Sequence, residues 1–155
     1  MTAPELDPST FRISRGGGGV AVNADGSASF ESPSNGVKTN VKTATTELTG
    51  LTGAAVTATN LIPAGAFILG ITARVTTEIE GATTWDLGDG SDIDRWGAAL
   101  ALASGTLIDP TDYVATGFGQ FSSANDVVLT ANGANFTAGA VRLTVHYLDL
   151  TPPTS

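Results

Sequence analysis

The chain has 155 residues, only 6% aromatic side chains, and a formal net charge of −8 from 15 acidic and 7 basic residues. The length fits one domain, and the absence of a basic cluster argues against partners such as nucleic acid or an anionic membrane surface. The absence of cysteine excludes disulfides and thiolate metal sites, and no apolar run is long enough to span a bilayer.

Large apolar side chains are scarce, so the core is expected to be thin. Burial of a Val, Leu or Phe contributes about 1.5–3 kcal/mol, and few are available to offset the entropy of ordering the chain. This balance favours burial of surface against further copies of the chain. The polar N-terminus lacks the apolar segment of a secretory signal, so we expect synthesis as a soluble protein in a cytosol.

Residues 1–36 predict an extended N-terminal arm. Glycines at 16–19 and the Ser-Pro-Ser-Asn-Gly segment at 32–36 break regular structure, while residues 23–26 have the composition of a hairpin turn. Short alternating pieces lie between these breaks at 11–13, 20–22 and 29–30. The arm is either a floppy tail or a segment that gains order by pairing with a neighbouring subunit or surface. Strand pieces without a core of their own favour the second alternative.

Residues 37–150 predict a single all-β domain, an antiparallel β-sandwich, because strand patterns recur at short and regular spacing. Strands are expected at 37–48, 54–59, 66–80, 83–87, 113–117, 126–130 and 140–150. Residues 96–103 are ambiguous between strand and short helix, and the alternation of two leucines favours a strand. The proline-rich residues 151–155 form a C-terminal tail that cannot continue a strand.

Two predicted strands show the clearest alternation between an apolar and a polar face. The apolar face of strand 66–80 consists of Phe67, Leu69, Ile71, Ala73, Val75, Thr77 and Ile79. Its polar face consists of Thr72, Arg74, Thr76, Glu78 and Glu80. Strand 140–150 places on one face Val141, Leu143, Val145 and Tyr147. Its other face carries Arg142, Thr144, His146 and Leu148. Both strands are therefore expected to have one buried face.

The acidic loop after strand 83–87 is the best candidate for a binding site. It carries Asp86, Asp89, Asp92 and Asp94 among glycines. Carboxylates on a bent loop suit Ca²⁺, but the order of an EF-hand and its closing Glu are missing. A plain turn, with Arg95 placed to pair with one carboxylate, is the preferred interpretation, and no metal is assigned.

Two tryptophans, Trp85 and Trp96, flank this loop. Tryptophan at such a position belongs either to the sandwich core or a subunit interface, or it stacks on a sugar at a receptor-binding tip. Core or interface is the commoner case. We therefore predict loop or interface contacts for Trp85, Trp96 and the four aspartates between them.

No catalytic constellation is predicted. His146 is the single histidine, and no G-x-S-x-G elbow accompanies it, so a half-exposed strand position is expected. Glu78 and Glu80 lie two apart on one strand face, where a solvated face is far commoner than a glycosidase pair. The glycines at 16–19 lack the spacing of a nucleotide-binding loop. Neither enzyme activity nor a cofactor is expected.

Five short motifs occur in a suggestive order. They are IPAGA at 62–66, LGITARV at 69–75, GATTW at 81–85 followed by Leu87-Gly88, DRWG at 94–97 and FTAGAVRL at 136–143. Over about 61–147 the chain resembles a β-sandwich domain found at the C-terminal ends of tailed-phage fibre proteins and of head-spike proteins in gene-transfer particles. The resemblance implies a trimeric attachment module without catalytic activity.

The chain lacks the long repetitive shaft of a fibre, and in this it looks more like a capsid decoration (cement) protein. Such proteins are small trimeric β proteins that brace the shell through terminal arms. The resemblance implies a jelly-roll-like homotrimer on the virion surface, made in the bacterial host cytoplasm, with the major capsid protein as partner. Contacts to the shell are expected from arm residues Phe11, Arg12, Arg15 and Phe30.

Two other functions stay open. One is a short head or tail fibre that contacts the host surface through the loops around 85–96. The other is a depolymerase-like hydrolase, for which the candidate acids are few. A gene position beside the major capsid gene would favour cement, and one beside tail genes would favour a fibre.

Overall fold

A computed structural model of the chain describes residues 11–15, 18–22, 27–31, 37–109 and 119–152. The described residues form strands joined by turns and loops. They are β1 (Phe11–Arg15), β2 (Gly18–Val22), β3 (Ala28–Glu31), β4 (Lys38–Thr49), β5 (Ala55–Ile62), β6 (Phe67–Glu80), β7 (Thr84–Gly88), β8 (Gly97–Leu100), β9 (Leu107–Ile108), β10 (Gly119–Gln120), β11 (Asn125–Asn132) and β12 (Ala138–Thr151). Among these residues, none forms a helix with the length and hydropathy needed to cross a bilayer.

The strands form two antiparallel sheets packed as a sandwich, which confirms the predicted all-β fold class. The larger sheet has the order β1-β2-β3-β4-β12-β6, and beyond β6 the two short strands β9 and β10 pair with different parts of its edge. The smaller sheet has the order β5-β11-β7-β8. The larger sheet is therefore wider than its partner.

The centre of the larger sheet is β12, which lies between β4 and β6. Its predicted alternation is confirmed, because Val141, Leu143 and Val145 are completely buried while Arg142 is exposed. The pairing of β12 with β4 runs without interruption from Ala140 opposite Thr49 to Thr151 opposite Lys38. Such a ladder keeps one face of both strands directed at the core over its whole length.

Strand β6 departs from the predicted alternation at its beginning. Ile68 is buried and Phe67 and Leu69 are half-buried, whereas the sequence predicted Phe67 and Leu69 inside. The cause is a β-bulge: His146 of β12 pairs with Gly70, but the next residue, Tyr147, pairs with Ile68. The extra residue reverses which side chains face inward.

A second irregularity of the same pairing lies near the end of β6. There Ala140 pairs with Thr77 and the next residue, Val141, pairs with Val75. Thr77 is exposed rather than on the buried face, while Ile79 is buried as predicted.

The smaller sheet supplies the other half of the core. Trp85, Leu87, Val127 and Leu129 are completely buried, and they join the inner residues of β6 and β12 in one apolar cluster. Pairing of Leu129 with Leu87 brings these large side chains together on the inner face of β11 and β7.

The predicted strands correspond to β4, β5, β6, β7, β11 and β12, with ends shifted by up to three residues. The ambiguous segment 96–103 forms strand β8 over Gly97–Leu100. The predicted strand at 113–117 lies outside the described residues. Strands β9 and β10 were missed, because two-residue strands carry too little pattern.

Strands β1, β2 and β3 form an antiparallel meander on the edge of β4. The meander is attached by the short pairing of β3 with β4, from Ala28 opposite Val41 to Glu31 opposite Lys38. None of its described side chains belongs to the apolar core cluster. The predicted turn at 23–26 lies outside the described residues, although the flanking strands β2 and β3 pair as a hairpin requires. The division into an arm at 1–36 and a sandwich at 37–150 stays a prediction.

Candidate functional site

The acidic loop connects β7 to β8, and Asp89 organises it. One carboxylate oxygen of Asp89, Oδ1, accepts hydrogen bonds from the Ser91 amide (3.1 Å), the Ser91 hydroxyl (2.7 Å) and the Asp92 amide (2.9 Å). The other oxygen, Oδ2, lies 2.9 Å from Nε of Arg95. The predicted pairing of Arg95 with a loop carboxylate is thereby confirmed, and Asp89 closes the turn from within.

The environment of Asp89 changes its acidity. Burial by itself would raise its pKa, but the hydrogen bonds from Ser91 and Asp92 and the charge of Arg95 together outweigh burial and hold the pKa below its usual range. The carboxylate is therefore kept ionised in the folded protein. Its charge stabilises the loop rather than being available to a ligand.

Gly88 allows the loop to fold back onto β7. A Cβ atom at this position would collide with the backbone of Asp92 and Ile93. Only glycine leaves room for this close approach of two backbone segments.

Asp86 has a separate structural role on β7, the strand that leads into the loop. Its Oδ1 accepts hydrogen bonds from the Ala99 amide (2.7 Å) and from Nδ2 of Asn132 (2.8 Å). Ala99 has a φ of 52°, in a β-bulge where Trp85 pairs with Leu100 but Leu87 pairs with Gly97. A non-glycine residue in the left-handed region is strained, and the buried Asp86 carboxylate supplies a compensating hydrogen bond.

The two tryptophans that flank the loop lie in the core. Trp85 is completely buried, and its Nε1 donates to the Ala101 carbonyl oxygen at 3.0 Å. Trp96 is 7% exposed. Stacking on a sugar requires an exposed ring face, so the structure places both residues in the core, the commoner of the two expected positions.

The remaining loop residues do not converge on a point. Asp92 Oδ2 lies 3.9 Å from Arg95, while Asp94 is exposed, as is Ile93. Among the residues that the structure describes, no group of three or more His, Asp or Glu side chains is arranged to hold a metal ion. The loop is built as a closed turn whose exposed tip consists of uncharged and acidic groups.

The other chemically capable residues lie on the outer face of the larger sheet. The Nε2 atom of His146 lies 3.1 Å from the Thr72 hydroxyl, and the side chain is half-exposed, as predicted. Glu78 and Glu80 are exposed on β6. Near them, Glu47 accepts hydrogen bonds from Thr76 (2.6 Å) and Arg142 (2.9 Å), and these lower its pKa. These contacts resemble those of a solvated strand face.

The four predicted arm residues are Phe11, Arg12, Arg15 and Phe30. The first three lie on β1, where Phe11 pairs with Val22, and Arg15 pairs with Gly18. Phe30 lies on β3, and its side chain is 51% exposed. The structure thus brings the four arm residues into the larger sheet, whereas the acidic loop joins two strands of the smaller sheet.

One feature that the sequence did not reveal is a concentration of exposed apolar side chains where the meander meets the sandwich. Val22, Phe30, Val41 and Leu150 are all exposed. The alternation of β4 and β12 marks Val41 and Leu150 as outward-facing, but only the pairing of β3 with β4 brings the four together.

A chain from the cyanophage Pam1 capsid asymmetric unit is similar to this chain. It is 21% identical, the match covers 94% of this chain and 99% of that chain, and the TM-score is 0.44. No protein-family model and no curated protein matches the sequence. Similarity at this TM-score does not establish a shared fold, so the function of this chain must be argued from its own residues and surfaces.

Proposed function

We propose that this protein is a structural component of a tailed-phage virion that decorates and stabilises the capsid. Attachment to the major capsid protein is through the N-terminal arm. The observation that carries the proposal is the meander β1–β3, which widens the larger sheet beyond the sandwich and contributes no described side chain to the core. A segment that adds little to internal packing but presents exposed apolar groups is suited to binding another protein.

The motifs at 62–66, 69–75, 81–85, 94–97 and 136–143 support the same class of protein. In the fold they occupy the turn between β5 and β6, the middle of β6, the turn before β7 with the start of that strand, the loop that leads into β8, and the start of β12. The resemblance thus concerns the sandwich itself, on which the arm is an addition.

A non-enzymatic role agrees with the way the candidate acids are used. Asp86 and Asp89 hold backbone amides of a bulge and a turn, and His146 contacts a threonine hydroxyl. Each of these groups has a structural contact that accounts for it. The net charge of −8 leaves the outward surface of a decorated shell acidic and well solvated.

The oligomeric state belongs to the proposal as well. A jelly-roll-like sandwich associated as a homotrimer would cover strand edges that otherwise invite aggregation. The edge of β4 beyond Val41 is such an edge, since β3 pairs only with Lys38–Val41 of this strand.

Heating of virions tests the proposal directly. Particles of the parent phage lacking this protein should release their genome at a lower temperature than complete particles, and addition of the purified protein should restore their heat resistance. Removal of residues 1–36 should abolish binding to shells assembled from the major capsid protein of the same genome while leaving the trimer intact. Equal heat resistance with and without the protein would contradict the proposed function.

The competing proposal is a short head or tail fibre that binds the host surface. The exposed tip of the acidic loop, where Ile93 is 51% exposed, is the feature that favours it. The buried position of Trp85 removes the aromatic ring expected to stack on a glycan. Binding of the protein to a glycan array, lost in Ile93→Ser and retained after removal of residues 1–36, would favour the fibre over the decoration protein.

A further inference from the structure

Exposed apolar side chains are concentrated at one place on this molecule. Of the six large apolar side chains that the structure describes as exposed, four lie together where β3 and β4 pair. We call Val22, Phe30, Val41 and Leu150 the outer apolar patch. The other two, Ile93 and Leu107, lie in the acidic loop and on β9.

The pairing of the strands aligns the patch in two neighbouring rows. Residues directly opposite each other in antiparallel strands point to the same face of the sheet. The first row across the sheet includes Val22, Ala28, Val41 and Leu148. The second row includes Phe30, Thr39 and Leu150. These positions share a face with Arg142 and His146 of β12, on the side away from the smaller sheet.

The charged side chains that flank the two rows lie on the other face, and Arg142, on the same face, is six residues from Leu148 along β12. Lys42 and Asp149 occupy the alternate positions of β4 and β12, where their side chains form an ion pair of 2.8 Å. None of the described residues in the two rows is charged. An uncharged surface on a chain of net charge −8 offers nothing to nucleic acid or to a basic protein patch. It fits a partner surface that is itself apolar.

The area of the patch indicates what kind of partner it can bind. Four half-exposed side chains offer an apolar area of roughly a few hundred Å². A stable complex of two proteins buries about 800 Å² on each partner, so this patch alone is too small to hold two copies of the chain together. A contact of this size can add to binding when the arm already holds the same partner. The patch then meets its partner surface within one complex, at a high effective concentration.

We propose that the outer apolar patch docks on an apolar surface of the shell subunit, the major capsid protein, beside the contacts made by the arm. This inference rests on the proposed function. The patch joins two side chains from the meander, Val22 and Phe30, with two from the sandwich, Val41 and Leu150. Docking across that junction fixes the meander on the sandwich, so attachment also sets the angle at which the sandwich stands on the shell.

The test compares two sets of threonine substitutions. Threonine keeps strand propensity at exposed positions while replacing apolar surface by a hydroxyl. The patch variant is V22T/F30T/V41T/L150T, and the control is I93T/L107T, which changes the two remaining exposed apolar residues. Binding of each full-length protein to shells of the major capsid protein gives the Kd. The patch variant should bind at least about tenfold more weakly, and the control should bind as the unchanged protein does.

A second measurement does not depend on the multiple variant. Because the chain has no cysteine, Val41→Cys can be labelled with an environment-sensitive fluorophore, with Ile93→Cys as control. Addition of shells should shift the emission of the label at 41 to shorter wavelength and leave the label at 93 unchanged. Wild-type binding by the patch variant together with unshifted emission at 41 would overturn the inference while leaving capsid decoration intact.

Sedimentation of the same proteins without shells separates the remaining outcomes. An unchanged oligomeric state in the patch variant supports docking on the shell. Dissociation of the oligomer would show that a second copy covers the patch, and would overturn the inference. Failure of the unchanged protein to bind shells at all would instead contradict the proposed function itself.

Discussion

The two ends of the larger sheet direct their apolar side chains to opposite faces. Between β12 and β6, residues such as Leu143 and Ile71 face inward and are covered by the smaller sheet. Between β3 and β4, Phe30 and Val41 face outward and are exposed, while the neighbouring Ser29 is buried. The same β-ladder therefore supports a core at one end and an uncovered apolar surface at the other.

This contrast between the two ends of the sheet means that apolar side chains contribute to the stability of the fold at one end and to association at the other. In the sandwich, burial of apolar groups between two layers offsets the entropy of ordering the chain. In the meander, the backbone ladder is the main link to the rest of the chain. Changes in the sandwich should thus affect unfolding, and changes in the meander should affect binding.

The largest effect is expected from a matched pair of leucines on β12. Leu143 is completely buried, whereas Leu150 is 49% exposed. Leu143→Ala should lower the free energy of unfolding by about 2–5 kcal/mol through lost burial and a cavity, and Leu150→Ala by less than about 1 kcal/mol. Urea unfolding measures both, and equal losses would mean that the two faces of β12 do not differ as described.

A smaller effect is expected from the ionised carboxylate of the acidic loop. The pKa of Asp89 is lowered in the folded state, so its contribution to stability is complete above the unfolded value of about 3.9 and is lost as the pH falls through the folded value. Asp89→Asn should cost about 1 kcal/mol at pH 7 and less at pH 3.

Unfolding midpoints at a series of pH values measure this difference. The control is Asp94→Asn at the exposed loop position, which should change stability little at either pH. A cost of Asp89→Asn that stays constant down to pH 3 would show that the charge of Asp89 does not stabilise the loop.

The smallest effect on unfolding is expected from the largest change to the chain. Removal of residues 1–36 takes away β1–β3 but no described member of the core cluster. The free energy of unfolding of the remaining sandwich should change by less than about 1 kcal/mol, measured again in urea. A much greater loss would make the meander an integral part of the domain, and the contrast between the two ends would disappear.

The sequence alone was sufficient where structure is determined locally. Alternation predicted β6 and β12, and the placement of Arg95 near the aspartates predicted the pair with Asp89. Turn residues also separated the strands correctly. These features depend on neighbours along the chain, which a pattern records directly.

Features that depend on pairing across the sheet were not predictable. The bulge opposite His146 reverses the faces of Phe67 and Ile68, and no local signal marks it. The outer apolar patch could not be predicted from the sequence for the same reason. Val22 and Leu150 are brought together only by the intervening strands β3 and β4. The role of Asp86 likewise required knowledge of the bulge at Ala99.

The position of β12 in the middle of the larger sheet has a consequence for the timing of synthesis. Strands β4 and β6 are both made early, yet they do not pair with each other; each pairs with β12, over Ala138–Thr151. During translation, β4 and β6 therefore lack the strand that pairs with both of them until nearly all of the described chain has been made. Non-local pairing of this kind is slow, and exposed strands are prone to misassembly during the delay.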